Sequence, residues 1–181
     1  MPAHTEFKSA NDAYVSTFGD KGDLPLPPAK HLTVVTCMDA RIDPAQHLGL
    51  KEGDAHIIRN AGGSARDALR SIVISQRLLG TREIAVFHHT GCGMLTFNSG
   101  QLRDIVKRSA PESTSAEVAK QVDGIDFLEF DDLEGSVKED VAFLKESPLV
   151  LPETTVSGWV YEVETGKVRM ASRSRLSRMA R

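Results

Sequence analysis

The chain contains two cysteines, Cys37 and Cys92, and the second follows His89 on the segment His88-His89-Thr90-Gly91-Cys92-Gly93. Thiolate and imidazole are ligands that zinc favours, and a catalytic zinc takes three protein ligands while leaving a fourth position for water or substrate. His89 and Cys92, on one glycine-containing turn, are close enough to grip a single ion. Cys37 completes the set if its strand ends at the same place. Two other readings stand beside this one. A cysteine at the end of a buried strand often serves only as a small apolar side chain, and Cys37 and Cys92 could pair as a disulfide in an oxidising compartment.

The neighbours of Cys37 bear on the choice. In Cys37-Met38-Asp39-Ala40-Arg41, a carboxylate beside a zinc ion can accept a hydrogen bond from water and orient it. Arg41 can pair with Asp39 and keep it ionised and placed. Read only as a surface ion pair worth at most about 1 kcal/mol, the two residues have no reason to follow a strand-end cysteine directly. A phosphatase loop of the Cys-x5-Arg kind is excluded, because Asp43 occupies the arginine position.

These residues must be positioned by the elements around them. Leu32-Thr33-Val34-Val35-Thr36 is short, apolar and β-branched, which predicts a buried strand ending at Cys37. His56-Ile57-Ile58-Arg59 predicts a second strand, closed by the tight turn Asn60-Ala61-Gly62-Gly63. Glu83 to His88 predicts a third, ending at His89. Between them, residues 65–79 carry Ala68, Leu69, Ile72, Val73, Leu78 and Leu79 at helical spacing, with Gly80 as a stop. Further helices are expected over 99–109, 115–122 and 132–146. Trp159 to Val163 and Lys167 to Met170 flank Glu164-Thr165-Gly166 as a hairpin. Strands alternating with helices define an α/β fold with a mostly parallel central β-sheet flanked by helices. In such sheets ligands bind at the carboxyl ends of the strands, where Cys37 and His89 both fall. His88, next to His89 along a strand, should point to the opposite face and serve packing or support. His47 and His56 read as ordinary surface or core histidines.

Residues 3–18 space Phe7, Ala10, Tyr14 and Phe18 as an amphipathic helix, and Gly19 to Pro28 breaks the periodicity. The expectation is an N-terminal helical arm over 1–28 that packs on the domain or on a partner subunit. At the other end, Arg169, Arg173, Arg175, Arg178 and Arg181 make a basic stretch, expected as a solvated tail over 171–181.

Length and charge set the remaining bounds. A chain of 181 residues suits a single domain, 1–181, with one sizeable core. Its net charge of −3 gives no footprint for nucleic acid or an anionic membrane. No apolar run approaches the roughly 18 residues of a spanning helix. The opening Met1-Pro2-Ala3-His4-Thr5-Glu6 lacks the apolar stretch of a signal peptide, so a cytoplasmic location is expected. There two cysteines are reduced, catalytic or metal-bound.

Taken together, Cys37-x-Asp39-x-Arg41, Arg59-Asn60-Ala61-Gly62, the helix from Ala68 to Leu79, the strand from Glu83 to His88 and His89-x-x-Cys92-Gly93 resemble the β-class carbonic anhydrase family. The resemblance is strong over residues 30–97 and looser at the final hairpin. It implies one zinc ion (Zn2+) per chain on Cys37, His89 and Cys92, with Asp39 and Arg41 as a catalytic dyad. It implies reversible hydration of carbon dioxide, a small gaseous substrate, and a homodimer or higher homo-oligomer embraced by the N-terminal helix. The wording of the motifs is similar to a small branch that also holds carbonyl sulfide hydrolases, which makes that gas the alternative substrate. A zinc or redox-sensing protein without catalysis is the remaining alternative, but such a site needs neither Asp39 nor Arg41. Pro28 stands where many members of the family carry a glutamine that helps to bind bicarbonate, which leaves this pocket more apolar.

Overall fold

The computed structural model describes residues 2–175. A short 3-10 turn at Ala3–Glu6 runs into helix α1 (Phe7–Val15). Then come β1 (Leu32–Cys37), α2 (Pro44–Leu48), β2 (Ala55–Asn60), α3 (Ala65–Leu79) and β3 (Glu83–His89). The second half carries α4 (Ser99–Ser109), α5 (Ser115–Asp123), α6 (Leu133–Glu146), β4 (Thr155–Tyr161) and β5 (Val168–Arg175). The sheet order is β2-β1-β3-β4-β5. The first four strands are parallel, and β5 returns antiparallel to β4 through the expected hairpin. This is the α/β class with a mostly parallel sheet.

Alternation along the strands sets the two faces. Val35, Ile84, Val86 and Val156 pack with Ala68, Ile72, Val141 and Leu144 on the side covered by α3 and α6. Val34, Ala85 and Phe87 face the other way, toward Leu48, Leu50 and Trp159. The α3 helix buries Ala65, Ala68, Ile72, Ser75 and Gln76, a stripe at the three- and four-residue spacing of an amphipathic helix. Ser64 caps its start and Gly80 closes it in the left-handed conformation.

Parallel strands end on one edge, so register places the chemistry. Cys37 lies opposite Asn60, and His89 opposite Tyr161. Gly63 makes this edge compact. It has φ +76, and a Cβ there would sit 2.7 Å from the Phe87 carbonyl oxygen and 3.0 Å from the Cys37 nitrogen, so only glycine fits between β1 and β3.

The structure departs from the sequence reading in three places. The N-terminal helix ends at Val15 and buries none of its residues within the chain. A short helix, α2, follows Asp43, whose carboxylate caps it by accepting from the Ala45 and Gln46 N–H groups. The basic stretch from Val168 to Arg175 forms β5, because its backbone pairs with β4. Residues 176–181 of the expected tail lie outside the described residues. Among the described residues no helix is long and apolar enough to cross a membrane.

Candidate metal centre

The ends of β1 and β3 bring Cys37, His89 and Cys92 together. One ligand atom from each lies within 4.8 Å of the others, and exposure is only 5%, 0% and 2% respectively. The cysteines are free thiols, which settles the disulfide alternative. The His89 ring is hung by Nδ1, which donates to the Thr90 carbonyl at 2.9 Å. That bond leaves Nε2 as the atom with a lone pair, the tautomer arrangement common among metal-ligating histidines. Nε2 is buried without a hydrogen-bond partner, and a buried polar atom normally has one. A cation held with the two sulfurs would satisfy it.

The electrostatics favour the same occupant. The Cys92 thiol beside it holds the Cys37 pKa down to about 4 against burial, with help from His89 and the N–H groups of Asp39 and Gly62. The same contact, together with burial, pushes the Cys92 thiol up. Burial disfavours charge on His89, yet the Cys37 sulfur, the Thr90 carbonyl and the Asp39 carboxylate outweigh it and raise its pKa. Negative charge and lone pairs thus converge on one point with little water. A divalent cation there would take the place of the thiol protons and let both sulfurs be thiolates.

Asp39 and Arg41 stand at the rim. The Arg41 Nε donates to Asp39 Oδ1 at 2.9 Å and Nη2 to Oδ2 at 2.7 Å, and the Arg41 backbone N–H adds a third bond at 2.9 Å. This fork holds the Asp39 carboxyl well below the usual carboxylate range. Asp39 Oδ2 is 3.8 Å from His89 Nε2, so the carboxylate borders the space that the three ligand atoms enclose. Arg41 Nη2 also donates to the Gly91 carbonyl at 3.0 Å, tying the dyad to the loop between His89 and Cys92.

Arg59 has a part that sequence reasoning missed. Its Nε donates to the Cys37 carbonyl at 3.0 Å and Nη2 to the Asp39 carbonyl at 2.6 Å, strapping the turn that carries Cys37 and Asp39. The sequence marked it only as part of the Arg59-Asn60-Ala61-Gly62 motif, with no role attached. His88 points away from the centre, as the alternation requires: its ring nitrogens meet Ser136 Oγ at 2.7 Å and Asp140 Oδ2 at 3.1 Å on α6. His56 bonds Ser75, and His47 packs on Tyr161 and Phe87. The mouth of the centre is a cleft of about 180 Å³ walled by Met38, Ala61, Gly62 and Met94 beside the ligands, large enough for a very small molecule.

Fold and site define an α/β protein with a Cys-His-Cys centre that could bind a metal at the carboxyl ends of parallel strands. The comparisons with known proteins agree. The family model for carbonic anhydrase matches residues 32–168, and the chain belongs to the β-carbonic anhydrase family. A carbonic anhydrase from Glaciozyma antarctica superposes with a TM-score of 0.86 at 60% identity, over 91% of this chain and 95% of that one. Beta-carbonic anhydrase 1 of Mycobacterium tuberculosis is 41% identical, over 93% of this chain and 97% of its own length. A carbon disulfide hydrolase from Saccharolobus solfataricus is 34% identical, over 80% and 78% respectively.

Proposed function

We propose that the protein hydrates carbon dioxide reversibly to bicarbonate at a zinc ion held by Cys37, His89 and Cys92. The observation that carries this reading is the buried cluster of three ligand atoms with the Asp39–Arg41 pair at its rim. Zinc bound there supplies Lewis acidity and makes water a nucleophile at neutral pH. The protein's own groups do the rest. Asp39 accepts a hydrogen bond from the attacking water and directs its lone pair toward the cleft. Arg41 keeps Asp39 ionised and fixed. The walls of Met38, Gly62 and Met94 leave room for a linear triatomic molecule and few polar contacts to hold anything larger. No histidine from the described residues reaches from this cleft to solvent, so the released proton leaves through water or buffer.

A second substrate reading has its own support. The relatives include carbon disulfide hydrolases, and the cleft is largely apolar, which suits a sulfur-bearing heterocumulene such as carbonyl sulfide. Parallel assays of carbon dioxide, carbonyl sulfide and carbon disulfide on one zinc-loaded preparation separate the two. Turnover of carbon dioxide at least tenfold above the sulfur compounds supports the first reading. The reverse order assigns the chain to sulfide release.

The exposed arm bears on the partner. Phe7 is 65% exposed, Val15 59% and Leu26 80%, and so many large apolar side chains exposed in the N-terminal arm call for cover. A second copy of this chain is the cover we propose, giving a homodimer or larger. Free thiols at the centre suit the reducing cytoplasm.

A further inference from the structure

The loop that carries two of the three ligands is held from outside by the β4–β5 hairpin, through Thr90. Every polar atom of Thr90 is engaged. Its N–H donates to the Tyr161 carbonyl at 3.0 Å, and its carbonyl accepts from His89 Nδ1 at 2.9 Å. Its hydroxyl accepts from the Val163 N–H at 3.0 Å and donates to Glu164 Oε2 at 2.6 Å. Glu164 sits on the hairpin turn, 74 residues further along the chain. A methyl group built on Gly91 would lie 3.9 Å from both terminal nitrogens of Arg41 and from Glu164 Oε1. The guanidinium and this carboxylate therefore both lie beside the loop apex.

We propose that Thr90 and Glu164 form a positioning link that fixes the carbonyl on which the His89 ring is hung, and so aims Nε2 at the metal. The proposal rests on the metal-centre reading above. A ligating imidazole is oriented by the bond its other nitrogen makes. Here that bond ends on a peptide carbonyl, which is free to tilt unless its residue is pinned. Thr90 pins it with the side chain as well as the backbone, and Glu164 holds the hydroxyl in the rotamer that keeps its lone pair on Val163. Neither residue touches the reacting atoms, so the effect falls on ligand geometry before it falls on rate.

The test uses the full-length chain with zinc and with cobalt as probes. Zinc affinity is measured by competition against a chromophoric chelator, and the visible spectrum of the cobalt form reports ligand geometry. Thr90→Val should weaken zinc binding about ten- to a hundredfold and shift the cobalt bands. Thr90→Ser, which keeps the hydroxyl, should restore both to within about twofold. Glu164→Ala should lose about three- to tenfold, while Glu164→Gln, which still accepts from the hydroxyl, should lose less. Wild-type affinity and spectrum in both Thr90→Val and Glu164→Ala would overturn the link. So would a lowered melting temperature with an unchanged cobalt spectrum, since that is a purely structural tie. If Thr90→Val does not fold, the exposed Glu164 pair decides alone. A wild-type chain that binds neither metal would instead remove the centre itself, and the proposal with it.

Discussion

The strand-end centre and the N-terminal arm are opposite solutions to the same problem of satisfying side chains. At the centre, Cys37, His89 and Cys92 are buried, Asp39 is forked by Arg41, and Arg59 straps the intervening turn. His89 Nε2 is buried without a hydrogen-bond partner, beside the two sulfurs. Along α1 no residue is buried at all, and Phe7, Tyr14 and Val15 lie open. The centre is thus assembled within one chain and could hold an ion. On the arm Tyr14 meets Phe18, Lys21 and Glu52, but Phe7 and Val15 stay largely exposed, and isolated helices this short are marginal in water. A second copy of the chain is the cover proposed for it.

Substitutions can break that contrast, and the largest effect is expected at Gly63. Gly63→Ala puts a Cβ against the Phe87 carbonyl in a left-handed conformation, costing roughly 2–5 kcal/mol. Denaturant unfolding should show the lost stability, and zinc retention should fall with it, because β1 and β3 must separate. Next come the dyad variants. Arg41→Ala and Asp39→Asn should each keep zinc and lose about ten- to a hundredfold in rate; near-normal turnover would reduce the pair to a surface contact. On the arm, Phe7→Asp and Val15→Asp should lower the mass seen by light scattering while leaving zinc content and helix signal intact. A wild-type chain that is monomeric at micromolar concentration would contradict the contrast outright.

The smallest effect is in pH. Arg41 depresses the folded-state pKa of Asp39, so its contribution to stability is complete above the ordinary carboxyl value of about 4. It is lost only as pH falls through the depressed value. The stability gap between wild type and Asp39→Asn should therefore be flat from pH 5 to 8 and close only in stronger acid, as denaturant melts at several pH values would show.

Much of this was legible in residues because the core strands and α3 combine strong periodicity with clear stops. Cys37, Asp39, Arg41, His89 and Cys92 stood out for the same local reason: they sit at strand ends in fixed short spacings. What stayed hidden depended on distant partners. The α2 helix is five residues long, too short for periodicity, and only its Asp43-Pro44 start and Gly49 end mark it. The first half of β4, Thr155 to Gly158, lies before the Trp159 at which the hairpin was expected to start. At Gly158 a Cβ would meet Val137 Cγ1 at 2.5 Å, so glycine lets α6 lie close to the strand. The arginines of β5 look like a loose tail until β4 offers pairing. Arg59 and Glu164 act on carbonyls and hydroxyls brought near only by the fold.

The most direct test of the account is X-ray absorption at the zinc edge on the purified full-length chain, with metal content measured on the same sample. It should give about one zinc per chain, with two sulfur ligands near 2.3 Å and one nitrogen near 2.0–2.1 Å in the first coordination sphere. A zinc bound only through nitrogen and oxygen, or a folded chain that takes up no zinc, would contradict it.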